Sequence, residues 1–307
     1  MARENLFIKV GTYTGDGNDD RIITGIGFQP QLVIVKGGVN VACIRTEQMR
    51  GDSSISMSSA VATAVNQIQG FTTDGFVVGT SVLVNESATV YYYIAIRGTA
   101  AQNYFRTGNY RGNGANNRDF TTGGIGFTPD LVGIFGDTTE LKVWKSSSVA
   151  GDLAQYFSAT VGAADKIQNL QSNGFQLGTG AEVNGNTVEY FFFAMRAFSE
   201  AIAVGTYTGN GADNVSITGV GFQPDAVIVK KTGATARSAR MKTSDQTGEN
   251  TLILDATAAS ASNNIQAFES DGFQIGTDNA INASSAVYYW IAFKEGNFNA
   301  PIVRTAV

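Results

Sequence analysis

One unit of about 97 residues is written three times along the chain, and this repetition constrains the fold more than any other feature. Each unit opens on a glycine-rich sequence: Gly11-Thr-Tyr-Thr-Gly-Asp-Gly17, Gly108-Asn-Tyr-Arg-Gly-Asn-Gly114 and Gly205-Thr-Tyr-Thr-Gly-Asn-Gly211. A Gly-Phe-x-Pro turn, an Asp-Gly or Asn-Gly pair and a closing aromatic run then follow in the same order. Solenoid repeats run about 20–50 residues, so this longer unit predicts a set of domains. We predict three, at residues 1–98, 99–197 and 198–307.

Within each unit the local patterns are those of short β-strands. Residues 7–14 alternate with period two, and residues 31–36 form a mostly apolar, β-branched run typical of a strand covered on both faces. Asp74-Gly75 lies between apolar runs and predicts a tight hairpin. The closing run 90–96 is apolar at both parities, which predicts the centre of a sheet. The fold class is therefore all-β, as three tandem antiparallel β-sandwich, jelly-roll-like domains.

Three stretches are less regular. Residues 51–66 are polar and Ser-rich and have room for a short helix, while the tail 296–307 is expected to fray or to dock on a partner. Short joints leave two arrangements open, an extended row of domains or a pseudo-three-fold cluster, and they favour the row. The units also differ in charges expected at the surface, which would let each copy meet a different neighbour. The example is Arg45 and Glu47 against Lys145 and Ser147.

Composition excludes several classes of function. The net charge is −5 with 15% charged residues, so the basic footprint of a nucleic-acid binder is missing. The sequence has no histidine, which removes Ser-His-Asp and Cys-His catalysis and His-bearing metal sites. Its one cysteine, Cys43, is predicted to be a buried core residue. No apolar run reaches the length of a membrane span, and no signal peptide is evident, so membrane insertion is not expected.

Two arrangements of acidic residues are candidates for catalysis or for metal binding. Asp19 with Asp20, or Glu47 with Asp52, would be the carboxylate pair of a glycosidase, but neither pair is repeated in the other units. Residues 16–20 space oxygen ligands as a calcium loop does, beginning at Asp16, but they lack the loop's later glycine and glutamate. We therefore predict a polar glycine turn, no catalytic residues, no bound metal and no cofactor.

Other sequences favour structural roles. The triplet 50–52 spells Arg-Gly-Asp, yet the feature that repeats is a glycine followed by an acid, which is typical of a turn. Asn-x-Ser sequences occur at Asn85, Asn214 and Asn282 and are expected to be unused for glycosylation. The aromatic closing runs are predicted to be core rather than a sugar-stacking platform. Trp144, between lysines, is the best single candidate for an exposed contact, with core packing as the alternative.

Taken together, the repeated sequences resemble a β-rich domain of tail-fibre and other virion structural proteins of bacteriophages. In this chain the pattern is carried by residues 205–211, 221–227, 50–51, 270–276 and 287–293. The resemblance covers nearly all of the chain three times. The chain departs from the pattern in the strand after the proline. Family members often carry Trp there, where this chain has Ile34, Gly133 and Ile228, and Gln31 replaces an Asp in the first unit.

The resemblance implies a non-enzymatic virion protein, exposed on the particle as a capsid decoration, tail or tail-fibre component. Its partners would be other virion proteins, a second copy of the chain or a host surface glycan, without nucleic acid. Its location would be the virion, after assembly in the host cytoplasm. The alternative is a carbohydrate-binding, lectin-like module that mediates host attachment.

Overall fold

The computed structural model describes residues 4–99, 104–121, 125–256 and 258–300, and over these residues the protein is all-β. Its strands form six antiparallel sheets that pair as three sandwiches, so the predicted fold class is confirmed. Each sandwich combines one large sheet with one small sheet of three strands. A single helical turn precedes the closing strand of each sandwich.

The first sandwich contains eight strands and one helical turn. These elements are β1 (Glu4–Thr14), β2 (Arg21–Ile23), β3 (Leu32–Gly37), β4 (Cys43–Thr46), β5 (Ile55–Ser56), β6 (Ile68–Thr72), β7 (Gly75–Val78), α1 (Val82–Asn85) and β8 (Val90–Gly98). The large sheet has the order β1-β8-β3-β4-β5, and the small sheet has the order β2-β7-β6. The closing strand β8 lies between β1 and β3, which confirms its predicted central position.

The second sandwich repeats this arrangement. Its elements are β9 (Phe105–Arg111), β10 (Arg118–Phe120), β11 (Leu131–Gly136), β12 (Val143–Ser146), β13 (Gln155–Tyr156), β14 (Ile167–Gln171), β15 (Gly174–Leu177), α2 (Ala181–Asn184) and β16 (Glu189–Met195). The sheets have the orders β13-β12-β11-β16-β9 and β10-β15-β14.

The third sandwich has one more short strand, and a further strand leaves it. Its elements are β17 (Ile202–Thr208), β18 (Val215–Thr218), β19 (Ala226–Lys231), β20 (Arg240–Thr243), β21 (Thr251–Ile253), β22 (Ser260–Ala261), β23 (Ile265–Glu269), β24 (Gly272–Ile275), α3 (Asn279–Asn282), β25 (Val287–Phe293) and β26 (Gly296–Ala300). The large sheet has the order β17-β25-β19-β20-β21-β22, and the small sheet has the order β18-β24-β23.

The Asp-Gly hairpin between β6 and β7 forms as predicted, and its acid fastens a second turn. The Asp74 carboxylate accepts backbone N–H groups from Gly25 at 3.1 Å and Gly27 at 2.6 Å. Both glycines have φ near +85°, a conformation that favours glycine. These backbone hydrogen bonds, led by Gly27, lower the pKa of Asp74. Asp271 makes the same two contacts in the third domain, which explains why an Asp-Gly pair and a Gly-x-Gly turn repeat together.

Each large sheet is buried on both faces, because one face packs inside its own sandwich and the other packs against the other two domains. In β3, Val33 and Val35 belong to the core of the first sandwich. Leu32 and Ile34, on the opposite face, belong to a core that residues of all three domains share. All six residues of β3, β11 and β19 are buried as a result. This two-sided burial is the physical reason for the unbroken apolar runs.

The domains are arranged as a closed pseudo-three-fold cluster, and the favoured extended row was therefore wrong. Equivalent backbone groups join successive domains: Ala42 N–H donates to Leu254 O at 2.9 Å, and Ala239 N–H donates to Phe157 O at 2.8 Å. The second domain contacts the first through Asp137, whose carboxylate accepts the backbone N–H of Thr63 at 2.9 Å. Short joints can place sandwiches side by side around a common core as readily as end to end, and burial of the apolar inner faces favours the cluster.

The tail closes the ring. Strand β26 pairs antiparallel with β1, from Glu4 opposite Ala300 to Ile8 opposite Gly296. Before it, the Glu295 carboxylate accepts Lys9 Nζ at 2.5 Å and the backbone N–H of Val10 at 3.2 Å. The expectation of a frayed or partner-bound tail is thus wrong for residues 296–300, while residues 301–307 lie outside the described residues.

The polar stretch 51–66 folds without the short helix that its composition allowed. It contains β5 and an isolated bridge between Ser54 and Ala64. The helical turns lie instead before the closing strands, where α1 is capped by the Ser81 hydroxyl accepting from the Leu83 backbone N–H at 3.3 Å. A polar N-cap two residues ahead of an apolar pair was the sequence signal for it.

Candidate interaction surface

The glycine turn that resembled a calcium loop is organised by a buried asparagine. Asn85 Oδ1 accepts the Asp16 backbone N–H at 3.0 Å, and its Nδ2 donates to Asn18 O at 2.8 Å. The Asn18 backbone N–H and the Asn85 side chain, with Arg21 nearby, lower the pKa of Asp16. Asn184 and Asn282 hold the equivalent turns of the other two domains. In each domain the turn is therefore held by an asparagine side chain from the helical turn.

Metal binding and glycosylation have little support at the sequence-selected positions. Among the described residues, no group of three or more Asp, Glu, Cys or His side chains is arranged to hold a metal ion. Asn85 and Asn282 are completely buried, and their amide nitrogens donate to backbone carbonyls. These two side chains are inaccessible to a glycosylating enzyme in the folded protein, whereas Asn214 is exposed.

The candidate carboxylate pairs serve separate structural contacts. Asp19 accepts the Gln69 amide at 2.8 Å and the Asp20 backbone N–H at 3.0 Å. Glu47 accepts the Thr107 hydroxyl at 2.8 Å across the joint between the first two domains. Asp52 accepts the Asn66 backbone N–H at 3.2 Å. These contacts hold turns and a domain joint in place.

The Arg-Gly-Asp triplet lies in a turn that a buried cation secures. Gly51 has φ +55°, and its carbonyl accepts Arg45 Nη2 at 2.7 Å. Lys145 makes the same contact with Gly151 at 2.7 Å, and Lys242 makes it with Gly248 at 2.7 Å. Arg45 and Lys145 are buried, so the expectation that they mark divergent surface charge was wrong. A buried cation is retained because each ordered loop offers it several backbone carbonyls.

The aromatic runs are core, as predicted, and Trp144 is core as well. Tyr91, Tyr190 and Tyr288 are fully buried, and the hydroxyl of each donates to a carbonyl of the helical turn before it. Trp144 is 1% exposed and packs against Phe157 in the shared core, so of the two roles that the sequence left open it has the packing one. Strand alternation explains this, since Trp144 stands where Ile44 and Met241 stand and faces the shared core, while the adjacent Lys145 lies on the opposite face of the sheet.

Cys43 is fully buried, as predicted, and burial raises the pKa of its thiol to about 11. Its Sγ lies 3.0 Å from Gln67 Oε1 and 3.3 Å from the Ser54 hydroxyl. A buried thiol of high pKa is a poor nucleophile.

Three buried lysines at the domain joints were not predicted. They are Lys36, Lys142 and Lys230. Each lies one position beyond the last paired residues of the hairpin that the third and fourth strands of its domain form. Their ammonium groups bind equivalent carbonyls, namely those of Asn40, Glu140 and Arg237. In the first and third domains the lysine lies near the end of the first strand of the hairpin. In the second domain Phe135 occupies the equivalent position, and Lys142 comes from the other arm of the hairpin. In the first and third domains the sequence signal was lysine at the end of an apolar run, whereas Lys142 carried no such signal.

These lysines also reach the neighbouring domain. Lys142 Nζ donates to Val61 O of the first domain at 2.9 Å, and Lys230 Nζ donates to Thr160 O of the second at 3.2 Å. Burial lowers the pKa of Lys36 to about 8, opposed by Asp255 of the third domain. Burial likewise lowers the pKa of Lys142 to about 8 and that of Lys230 to about 7.

Around these joints the surface is apolar. We define the loop end as the end of the three large sheets at which β3, β11 and β19 finish. Six valines that are 38% to 58% exposed lie there: Val39, Val61, Val82, Val90, Val161 and Val287. Their positions follow from the contacts of Asn40 with Val82 O, of Lys142 with Val61 O and of Thr232 with Val287 O. Four of the valines come from the first domain and one each from the second and third, so the loop end offers an apolar surface for protein contact to which all three domains contribute.

The comparisons with known proteins reach one part of the chain. Residues 197–302 match the family model described as Domain of unknown function (DUF7483). The matched segment contains β17–β25 and also β26, which are the third sandwich and the strand that crosses to the first. No curated protein and no solved structure matches the chain. In the part of the chain that the structure describes, no helix is long and apolar enough to cross a membrane.

Proposed function

We propose that the protein is a non-enzymatic structural component of a bacteriophage virion, one that occupies a three-fold position on the particle. The observation that carries the proposal is the shared core, in which three repeats of one chain pack as a trimer of separate subunits would. Homo-oligomers are commonly closed rings, and a covalent imitation of a trimer fits a three-fold-symmetric partner. The assignment to a virion rests on the resemblance of the repeats to domains of virion structural proteins.

The loop end is the surface that would meet this partner. Its six exposed valines come from all three domains, and the buried lysines beneath them fix the loops that carry them. Its occupant is a three-fold-symmetric surface formed by other virion proteins, because such a surface can contact all three domains of the cluster at once. The absence of histidine and the structural engagement of the candidate carboxylates support a role without catalysis.

The proposal is tested on virions released from a culture of the bacteriophage whose genome would encode the chain. Particles purified by density gradient should contain the protein in a fixed ratio to the most abundant capsid protein, as measured by quantitative mass spectrometry. A variant with Val61→Asp and Val161→Asp should be lost from the particles. Ile22→Asp is the matched control, because Ile22 is 54% exposed on the small sheet away from the loop end.

Recovery of the protein only in the particle-free fraction would contradict the virion role. Incorporation of the double-valine variant at the level of the Ile22→Asp control would contradict the loop end as the contact surface.

A further inference from the structure

The second domain has a cleft of about 510 Å³ at the end opposite its joint lysine. Three segments line it: the Gly-Phe-x-Pro turn at residues 128–130, the end of β12 with its loop at residues 145–151, and β14 at residues 168–170. The volume lies within the range of pockets that hold small organic ligands.

The other two domains provide an internal comparison for this cleft. Leu170 lies opposite Phe175 in the small sheet, and the equivalent residues of the first and third domains are Phe71 and Phe268. Two further lining positions also carry smaller side chains in the second domain. Ala150 stands where the others have Arg50 and Thr247, and Thr128 stands where they have Gln29 and Gln223.

Those larger side chains make contacts across the equivalent region. In the first domain the Arg45 guanidinium lies 5.9 Å from the centre of the Phe71 ring. In the third domain Gln223 Nε2 donates to Phe268 O at 3.5 Å, which joins the turn to the small sheet. The second domain lacks the ring and the glutamine side chain that make these contacts, and its three lining segments stand apart around the cleft.

Ser147 and Asn169 line the cleft with exposed polar side chains that can hydrogen-bond to a ligand, whereas two other lining oxygens are buried. Gln168 Nε2 donates to Asn116 Oδ1 at 3.1 Å, which fixes the amide, while Gln168 Oε1 is buried and has no hydrogen-bond partner among the described residues. Ser146 is fully buried, and its Oγ likewise lacks a partner among those residues. The equivalent oxygens of Gln69 and Gln266 are also unpartnered, so what distinguishes the second domain is the smaller side chains beside them.

The charges at the cleft disfavour an ionic ligand. The Lys145 ammonium is already shared among the carbonyls of Val149, Gly151 and Leu153 at 2.7 to 3.3 Å. Asp130 lines the same wall, and one of its carboxylate oxygens accepts the Ala197 backbone N–H at 2.8 Å. A neutral ligand rich in hydroxyl groups would pair with the Asp130 carboxylate, and Pro129, with Leu170, gives an apolar surface for its C–H groups.

We propose that this cleft binds a neutral sugar residue of a glycan. Hydroxyl groups would pair with the Asp130 carboxylate and the exposed Asn169 side chain, and the apolar face of the sugar ring would lie on Leu170. This assignment is independent of the proposed contact at the loop end, since the two surfaces share no residue.

The test uses the full chain and a panel of neutral probes: glucose, galactose, mannose, N-acetylglucosamine and lactose. Saturation-transfer NMR should detect binding of at least one of them, with titration giving a dissociation constant in the millimolar range or tighter. Leu170→Phe should weaken that binding at least tenfold. Phenylalanine is the native residue at the equivalent position of both other domains, so this variant is expected to fold. Leu170→Met is the matched control and should retain binding within about twofold.

Ala150→Arg, which introduces the side chain of the first domain on another wall, should also weaken binding at least tenfold. The assignment is overturned if none of the probes binds the wild-type chain, or if Leu170→Phe and Ala150→Arg both bind as the wild type does. Incorporation of Leu170→Phe into particles separates the two proposals, because the variant should lose the sugar and keep the loop-end contact.

Discussion

At the scale of single residues, the joint lysines show how one structural requirement is met from two sequence positions. Lys36 and Lys230 occupy the same place in β3 and β19, whereas β11 has Phe135 there. Phe135 joins the shared core, and Lys142 supplies the ammonium group from the other side of the same hairpin. The requirement is a buried donor for loop carbonyls, because an unpaired buried carbonyl is costly.

These lysines predict a pH dependence of stability. Their pKa values in the folded chain lie at about 7 to 8, below the ordinary 10.5. At pH values between the folded and the ordinary pKa, these lysines bind more protons in the unfolded chain than in the folded chain. The free energy of unfolding should therefore rise from pH 7 to pH 9.5. The charged groups near them are Asp255 for Lys36, Asp137 and Glu140 for Lys142, and Arg240 for Lys230.

Urea titrations at several pH values measure this rise. Lys230→Met should reduce its slope, because the variant removes the group with the lowest pKa of the three. Above about pH 10 the trend should reverse, since burial raises the pKa of Tyr13, Tyr110 and Tyr207 well above the ordinary value. A free energy of unfolding that falls steadily from pH 7 to pH 9.5 would contradict the burial of the lysines.

Ile94 gives a second prediction at this scale. It lies in the central strand β8, is fully buried and faces the shared core. Ile94→Asp would bury a carboxylate without a partner and should cost several kcal/mol of unfolding free energy. Thermal unfolding followed by circular dichroism should show a large fall in Tm and a broader transition. A Tm within one or two degrees of the wild type would contradict the central placement of β8.

At the scale of elements, β26 is a strap that covers the free edge of β1. Exposed strand edges invite pairing with other chains, and covering them with another strand is one remedy. The strap is held by five registered residue pairs and by the Glu295 contacts with Lys9 and Val10. Phe298 packs against the shared core and lies 6.1 Å from the Phe198 ring. The strap therefore connects the first and third domains.

Removing the strap is a direct test of its role. A chain that ends at Lys294 should lose about 2–5 kcal/mol of unfolding free energy, from lost backbone hydrogen bonds and from exposure of Phe298's packing site. It should also associate at high concentration through the bare edge of β1, as light scattering after gel filtration would show. A chain that ends at Ile302 keeps β26 and is the matched control. Equal stability of the two truncated chains would mean that the strap contributes nothing to closure.

Local elements were predictable from the sequence because their signals are local. The hairpin at Asp74-Gly75 and the two-sided burial of β8 follow from turn chemistry and apolar periodicity. The strap was not predictable, because residues 296–300 carry a weak strand pattern and their partner lies at the other end of the chain. The sequence could not decide between exposure and packing for Trp144, because its neighbouring lysines suggested a surface position while their ammonium groups in fact hydrogen-bond to loop carbonyls.

The cleft of the second domain was also beyond sequence reasoning. The substitutions that open it, Leu170 for phenylalanine and Ala150 for arginine or threonine, are visible when the repeats are aligned. Their meaning depends on the turn, the loop and β14 meeting at one place, which only the folded sandwich shows.

At the scale of the whole molecule, the shared core makes the three domains one body. Each sandwich also has its own core, but the inner face of every large sheet is covered by the other two domains. The second domain fills its share with aromatic rings, including Phe135, Trp144 and Phe157, whereas the first uses mainly aliphatic side chains. The copies are therefore not interchangeable, and the cluster has one defined order.

The central claim is that the isolated chain is a compact pseudo-three-fold cluster, and small-angle X-ray scattering tests it most directly. A compact body of this length should have a radius of gyration of about 19 Å by the globular scaling law. Three such domains in a row, each with a radius of gyration of about 13 Å and with centres about 30 Å apart, would give about 28 Å. We expect the compact value at dilute, monomeric concentration, and a value near that of the row would contradict the shared core.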